Sequence, residues 1–292
     1  MTRLLLATFQ LLPAGETGGD ALIGALAARG IDAEWAVWDD PSVDWSAADL
    51  VAVRSTWDYY RRAPEFLAWA RAVEKETPLL NGADVFAWNA DKAYLRELAA
   101  ADLPVVPTEL ADDATLVPVL ADTTGRWGSV VVKPRTGAGG VGVCVVDSVS
   151  DGRLEGLVAA PWVVQPLVAS VRTRGETSVY VFRGGSGGRA AAQVDKLPAD
   201  AGSEIRVHEL YGGRSRPVPL DPEAAAVAER AVVVAEGITG GSLAYGRVDL
   251  LRYDGRLVVS ELELIEPGLY LDVDPANAER FAAAVRTAVG GL

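Results

Sequence analysis

The stretch Tyr245-Gly-Arg-Val-Asp249-Leu-Leu-Arg-Tyr-Asp-Gly-Arg-Leu-Val-Val-Ser-Glu261-Leu-Glu263 constrains this chain more than any other. Two runs rich in Val and Leu flank Asp254-Gly255, a turn dipeptide, so the segment reads as a β-hairpin. By period two, Arg247 and Asp249 share one face of the first strand, and Glu261 and Glu263 share one face of the second. A three-residue loop with a glycine bulge sets Asp249 opposite Glu261 and Arg247 opposite Glu263. Val248 and Leu250 then face Leu262 and Ser260. A two-residue turn slips the register by one and points Asp249 away. Directly opposed like charges destabilise a sheet by ~0.2–1 kcal/mol. Two readings account for three acids on one face. Either they hold a divalent cation such as Mg2+, which takes carboxylate oxygens and completes its shell with water and phosphate, or Arg247 and solvent neutralise an exposed acidic surface.

Composition narrows the rest. The 292 residues are 50% hydrophobic and 23% charged, with 30 Gly and 16 Pro, which excludes disordered and collagen-like classes and fits one to three compact units. A net charge of −13 repels a phosphate backbone, so no nucleic-acid partner is expected. With one Cys and one His, neither an intrachain disulfide nor a Cys/His zinc site can form, which suits a reducing cytoplasmic compartment. A Ser-His-Asp triad would need His208, which sits among charged residues and reads as a surface or substrate-lining side chain. No apolar run reaches the ~20 residues of a membrane span. The leucine-rich start is interrupted by Thr8 and Gln10 and reads as a first strand.

Strands at 3–9, 31–38, 50–54 and 78–81 alternate with helices at 20–28 and from Pro64, the pattern of a small parallel α/β unit over residues 1–88. A second unit, 89–165, holds a helix from Lys92 to Ala101, an extended run at 103–108, helices at 112–121 and near 151–159, and strands at 129–134, 141–146 and 161–166. The third, 166–292, is mostly antiparallel, with strands at 177–183, 189–196, 206–211, 244–253 and 256–264, a turn at Ser186-Gly-Gly, and helices at 222–236 and 275–289.

The chain carries 23 Arg but only four Lys, so a persisting Lys marks a place where a compact ammonium is wanted. Lys75, in Glu-Lys-Glu, is a solvated helix residue. Lys133 precedes the glycine-rich turn of Val130-Val-Val-Lys-Pro-Arg-Thr-Gly-Ala-Gly-Gly-Val-Gly-Val143, where backbone N–H groups can approach phosphate oxygens. The segment lacks the spacing of a P-loop, and a strand follows where a dinucleotide fingerprint needs a helix. An ordinary flexible hairpin tip is the other reading. Lys92 lies beside the free N–H groups of a helix start capped by Asn89 or Asp91 and can share an anion there, or is simply exposed. Val163-Val-Gln-Pro-Leu167 offers backbone groups at an apolar strand end, suited to an adenine edge.

The order of these features resembles the ATP-grasp superfamily of carboxylate–amine ligases, from about Asn89 to Pro267, with the preceding unit similar to the domain before the grasp. The resemblance implies an α/β (α+β) ATP-grasp fold whose two lobes close on ATP and two Mg2+ ions. It implies Lys92 and Lys133 on the phosphates, Gly137, Gly139 and Gly140 in the covering loop, Gln165, Pro166 and Leu167 at the adenine, and Glu176 on the ribose. Arg247 matches the arginine that stabilises the transferring phosphoryl group, with Lys133 and Arg206 assisting. Lys196 falls on a strand where such enzymes contact the nucleotide. Asp249, Glu261 and Glu263 match metal ligands, although Glu263 stands where the family commonly has Asn.

Within the superfamily, Val53-Arg-Ser-Thr-Trp-Asp-Tyr59, Leu80-Asn-Gly-Ala-Asp84 and Glu261-Leu-Glu-Leu-Ile-Glu-Pro267 are similar to a bacterial branch, related to the glutathione-synthetase-like enzymes, that includes the cycloserine-forming ligase. That implies a small amino-acid-derived substrate in antibiotic biosynthesis, with Arg54, Asp58 and Glu266 as candidate substrate residues. Arg54 and Asp58 read equally as a salt bridge at a domain edge. Gly175-Glu-Thr-Ser178 lacks the basic residue often found after the ribose acid in glutathione synthetases, so tripeptide-type substrates are not expected. The implied reaction makes an acyl phosphate from a carboxylate and ATP, then displaces phosphate with a nitrogen of a second molecule or the same one. Relatives are often homodimers. A small-molecule phosphotransferase and a non-catalytic nucleotide-binding module are the alternatives.

Overall fold

The computed structural model describes residues 1–185, 187–199 and 204–291. Ser186, in the expected turn, lies outside the described residues.

β1 (Thr2–Thr8), α1 (Gly19–Ala27), β2 (Ile31–Val37), β3 (Leu50–Ser55) and α2 (Ala63–Glu76) form the first unit. Its three strands are parallel in the order β2-β1-β3. Both faces are covered, which is why β1 reads as continuous Leu and Ala rather than as an alternating strand. Leu4 and Leu6 enter the core shared with α1, while Leu5 and Ala7 enter the one shared with Phe66 and Ala70 of α2. The expected strand at 78–81 is reduced to one bridge between Leu79 and Val51.

Two short helices follow, α3 (Ala83–Asn89) and α4 (Tyr94–Ala100). The helix expected from Lys92 begins two residues later, because Asp91 turns back to accept from the Ala93 N–H, and α3 was not anticipated. β4 (Glu109–Ala111), α5 (Leu116–Trp127), β5 (Val130–Pro134), β6 (Cys144–Val146) and β7 (Trp162–Pro166) build a small sheet in the order β4-β7-β5-β6, antiparallel throughout. The helix expected near 151–159 is a single 3-10 turn at Gly152–Gly156.

After α6 (Val171–Arg174), a large antiparallel sheet takes over. It contains β8 (Glu176–Gly184), β9 (Gly187–Leu197), β10 (Arg214–Val218), β11 (Tyr245–Tyr253) and β12 (Arg256–Glu263), ordered β10-β9-β8-β11-β12. α7 (Pro222–Thr239) packs on one face. Asp221 caps it by accepting from the Glu223 N–H, Pro222 pre-sets its first turn, and Gly240 ends it in the left-handed region. The strand expected at 206–211 is instead a loop with a 3-10 turn, capped when His208 accepts from the Leu210 N–H. Gly213 there approaches the Val207 carbonyl so closely that a Cβ would lie 1.9 Å from its oxygen, and pairing resumes only at Arg214. α8 (Ala276–Val289) returns to pack on α1, so Phe281 shares a core with Leu4 and with Tyr180 of β8. No described helix is long and apolar enough to cross a membrane.

Candidate active site

The acid hairpin closes by a different route from the one expected. Asp254 (φ 47°) and Gly255 (φ 80°) are both left-handed and form a two-residue turn, with Tyr253 paired to Arg256. That register alone would set Asp249 against Ser260. A β-bulge intervenes: Leu250 pairs with Val259, while Asp249 pairs with Glu261 and Arg247 with Glu263. Ser260 is the extra residue. The expected opposition of acids holds, and the expected three-residue loop and the facing of Leu250 to Ser260 do not.

Because β12 is an edge strand, its outer backbone groups need partners. Side chains supply them. Asn89 donates to the Leu262 carbonyl and accepts from the Leu264 N–H, each at 2.8 Å, and Tyr94 Oη accepts from the Leu262 N–H. Asn81 does the same at Ala244, Tyr245 and Leu264. The strand carrying Glu261 and Glu263 is thereby fixed from both sides.

Each acid on the face meets a cation. Asp249, 2% exposed, accepts from Arg247 Nε and Nη2 at 3.0 Å, from Ser178 Oγ at 2.5 Å and from Lys196 Nζ at 3.3 Å. Arg247 also reaches Glu263, and Lys196 pairs with Glu176 at 2.6 Å. Lys92 Nζ lies 3.0 Å from Glu261 and donates to the Gly137 carbonyl at 2.7 Å, tying the acid hairpin to the glycine hairpin. Lys133 has no carboxylate within ion-pair distance among the described residues.

These contacts set the titration of the cluster. Burial raises the Asp249 carboxyl, but Arg247 and Lys196 outweigh it and leave the group below the ordinary range. Burial likewise opposes ionisation of Glu261, and Lys92 and Lys133 reverse it. Burial pushes Glu263 up to about 7 against the pull of Arg247, and pushes Glu266 up to about 8 with Glu263 adding to it. Burial lowers Lys133.

One cleft gathers Lys92, Lys133, the loop Gly137 to Val141, Glu261, Glu263 and Glu266, with a cavity volume of about 80 Å³. Its donors toward a cation are hard carboxylate oxygens, which fit Mg2+ and not a thiophilic metal. Among the described residues no group of three or more His, Cys, Asp or Glu forms a ready cation cage, because Arg247, Lys196 and Lys92 stand between the acids.

Other expected residues fall elsewhere. Arg54 is completely buried, with Nη2 on Glu16 at 3.0 Å and on the Pro267 carbonyl, and its guanidinium centre 4.8 Å from the Phe281 ring. Its Nη2 thus makes the ion pair of the salt-bridge reading, while Nε and Nη1 have no hydrogen-bond partner among the described residues. Asp58 accepts from Trp38 Nε1 and lines a separate pocket with Asp39, Arg61 and Arg62. Arg206 lies on the loop and not on a strand. It pairs with Glu204, stacks on Tyr211, and meets Gly140, where a Cβ would come 3.3 Å from its Cδ. Leu167 donates its N–H to the Ser129 carbonyl, Pro166 has none, and the Gln165 side-chain amide donates to Thr108 Oγ1.

Sequence reasoning missed Ser178, Tyr59, Glu16 and the roles of Asn81 and Asn89. Ser178 sits opposite Asp249 on β8, a pairing that only the sheet order reveals. Asn81, at φ 66°, was visible only as part of Leu80-Asn-Gly-Ala-Asp84.

Comparison with known proteins bears on the whole chain. The family described as D-cycloserine synthetase DcsG, N-terminal domain, matches residues 4–81. The cycloserine biosynthesis protein DcsG of Streptomyces lavendulae is 33% identical over 283 residues, 90% of this chain and 91% of that protein. The crystal structure of D-cycloserine synthetase DcsG superposes with a TM-score of 0.81 at 30% identity, covering 97% of this chain and 98% of that one. The ATP complex of D-alanine–D-alanine ligase from Bacillus anthracis superposes at 0.69 with 14% identity, over 99% and 97%, a likeness of fold.

Proposed function

The chain belongs to the D-cycloserine synthetase family of ATP-grasp ligases, and we propose that it forms a carbon–nitrogen bond on a small amino acid, using ATP to activate the carboxylate. The observation that carries this reading is the cleft in which two lysines, a glycine-rich loop and the acid face of one hairpin converge without a Cys or His among them. A reaction that needs no side-chain nucleophile matches that inventory. Phosphoryl transfer depends on positioning and charge neutralisation.

The residues take the following parts. Lys133, half-buried near Lys92 and with no carboxylate within ion-pair distance among the described residues, meets phosphate oxygens, and the N–H groups of Gly137, Gly139 and Gly140 lie over them. A bound triphosphate competes with Glu261 for Lys92 and so frees that carboxylate. Asp249, Glu261 and Glu263 would then hold Mg2+, two ions in our reading, which neutralises charge on the transferring group. Arg247, pinned by Asp249 and Glu263, donates from Nη1 to the Gly268 carbonyl and would stabilise the transferring phosphoryl group. The substrate carboxylate attacks the γ-phosphorus of ATP, ADP leaves, and the acyl phosphate is taken by a nitrogen as phosphate departs.

The cycloserine ring carries an O–N bond between the side-chain oxygen of serine and its amide nitrogen. The substrate class we propose is therefore a D-serine derivative bearing nitrogen on that oxygen. Phosphate release with ATP and Mg2+, screened over D-amino acids and such derivatives, tests the reading. ADP and phosphate in equal amounts with a new amide are expected. A stable phosphorylated product would mark a phosphotransferase, and nucleotide binding without turnover across the panel a non-catalytic module.

A further inference from the structure

Two groups face the cleft that the phosphoryl step does not use. Glu266 follows β12 and is 7% exposed, yet its carboxylate accepts no hydrogen bond from another described residue. Trp57 Nε1 donates at 3.1 Å to the Glu266 backbone carbonyl, which fixes the main chain and leaves the side chain free. Tyr59, the first residue of the 3-10 turn Tyr59–Arg62 after β3, is 5% exposed, lines the same cleft, and its hydroxyl makes no hydrogen bond among the described residues. The Glu266 backbone N–H is the one donor its carboxylate has among the described residues, so its remaining acceptor sites, open to the cleft, are left for a ligand to complete. Backbone contacts hold both in place: Tyr245 Oη bridges the carbonyls of Val53 and Ile265, while Tyr180 Oη and Arg247 hold the Gly268 carbonyl.

We propose that Glu266 is the general base for the attacking nitrogen, and that Tyr59 orients that nitrogen beside it. This deepens the ligase reading above and rests on it. The nitrogen lone pair forms the bond to the acyl carbon. The carbon–oxygen bond to phosphate breaks, and phosphate leaves with its electron pair. The proton lost by the nitrogen passes to the Glu266 carboxylate. Position supports the assignment: Glu266 lies three residues beyond Glu263 and shares with Lys133 the cleft in which the activated carboxyl group would form. The groups that face it are Glu263, Lys92, Arg247 and Tyr59. Burial and the Glu263 charge make its carboxylate a stronger base than an exposed one.

The test separates the two half-reactions in full-length enzyme. The amino-oxy derivative of D-serine serves as probe, with ATP, Mg2+ and added hydroxylamine to trap acyl phosphate as a hydroxamate. Glu266→Gln is expected to keep hydroxamate formation within about threefold of wild type while ring closure falls ~100-fold or more, the usual effect of losing a general base. Tyr59→Phe is expected to lower ring closure with the same selectivity and a smaller factor. Equal loss of both half-reactions in Glu266→Gln, or unchanged ring closure, overturns the base assignment and leaves the ligase reading standing. A wild-type enzyme that gives neither hydroxamate nor ring from this probe overturns both.

Discussion

Asp249→Asn separates charge from shape at the centre of the cluster. Asn preserves volume and can accept from Arg247 Nε and Ser178 Oγ through its one oxygen. Its amide nitrogen then faces Arg247 Nη2 and Lys196 Nζ, two donors against a donor. Removing one partner of a buried ion pair costs ~3–5 kcal/mol. Arg247 keeps Glu263 and Lys196 keeps Glu176, so the lower end applies, ~3 kcal/mol. At ~2 °C per kcal/mol for a chain of this size, the melting temperature falls by roughly 6 °C. Mg2+ with ADP is expected to raise the melting temperature of the wild type and to leave that of the variant nearly unchanged, while phosphate release is lost. Calorimetry with and without Mg2+ and ADP, paired with a phosphate assay, reads all three. A variant that melts with the wild type would refute the buried ion network, and one that turns over normally would refute the metal role of Asp249.

Replacing Lys92 with Ala removes a charge-assisted contact of ~1.5–3 kcal/mol, so KM for ATP rises ~10- to 100-fold, as initial rates against ATP will show. Arg54→Met strands Glu16 in the core and lowers stability by ~3–5 kcal/mol, and adding Glu16→Gln recovers part of that loss in a urea double-mutant cycle. Glu263 and Glu266 titrate higher in the fold than in the open chain, at about 7 and about 8 against 4.5. Between those limits the folded protein binds more protons than the unfolded one, so metal-free stability is fullest below about pH 4.5 on their account and declines as pH rises through 8. Melting in EDTA from pH 5 to 8.5 should show the decline, and Glu266→Gln should flatten its upper part.

Much of the site was legible in the residues. The scarcity of lysine singled out Lys92, Lys133 and Lys196, and all three meet the acid face or the cleft beside it. Alternation put Arg247, Asp249, Glu261 and Glu263 on one face. Other readings failed where a local pattern was asked a tertiary question. Arg54 follows four buried apolar residues, and nothing in Leu50-Val-Ala-Val-Arg54 says whether its head meets a substrate or Glu16 from another loop. The 206–211 segment has strand-like residues, but a close backbone approach at Gly213 makes it a loop.

The sequence by itself determined most of the elements, the hairpin and the chemical character of its acid face, because those follow from side-chain periodicity and residue type over a few neighbours. Tertiary structure decided the register. A two-residue turn aims Asp249 away from Glu261, and one extra residue, Ser260, brings it back. That bulge forms because Val259 and Leu262 must both reach the core under α7 while Asn89 and Tyr94 hold the outer edge of β12. Such a choice depends on groups more than a hundred residues away, and no local propensity encodes it.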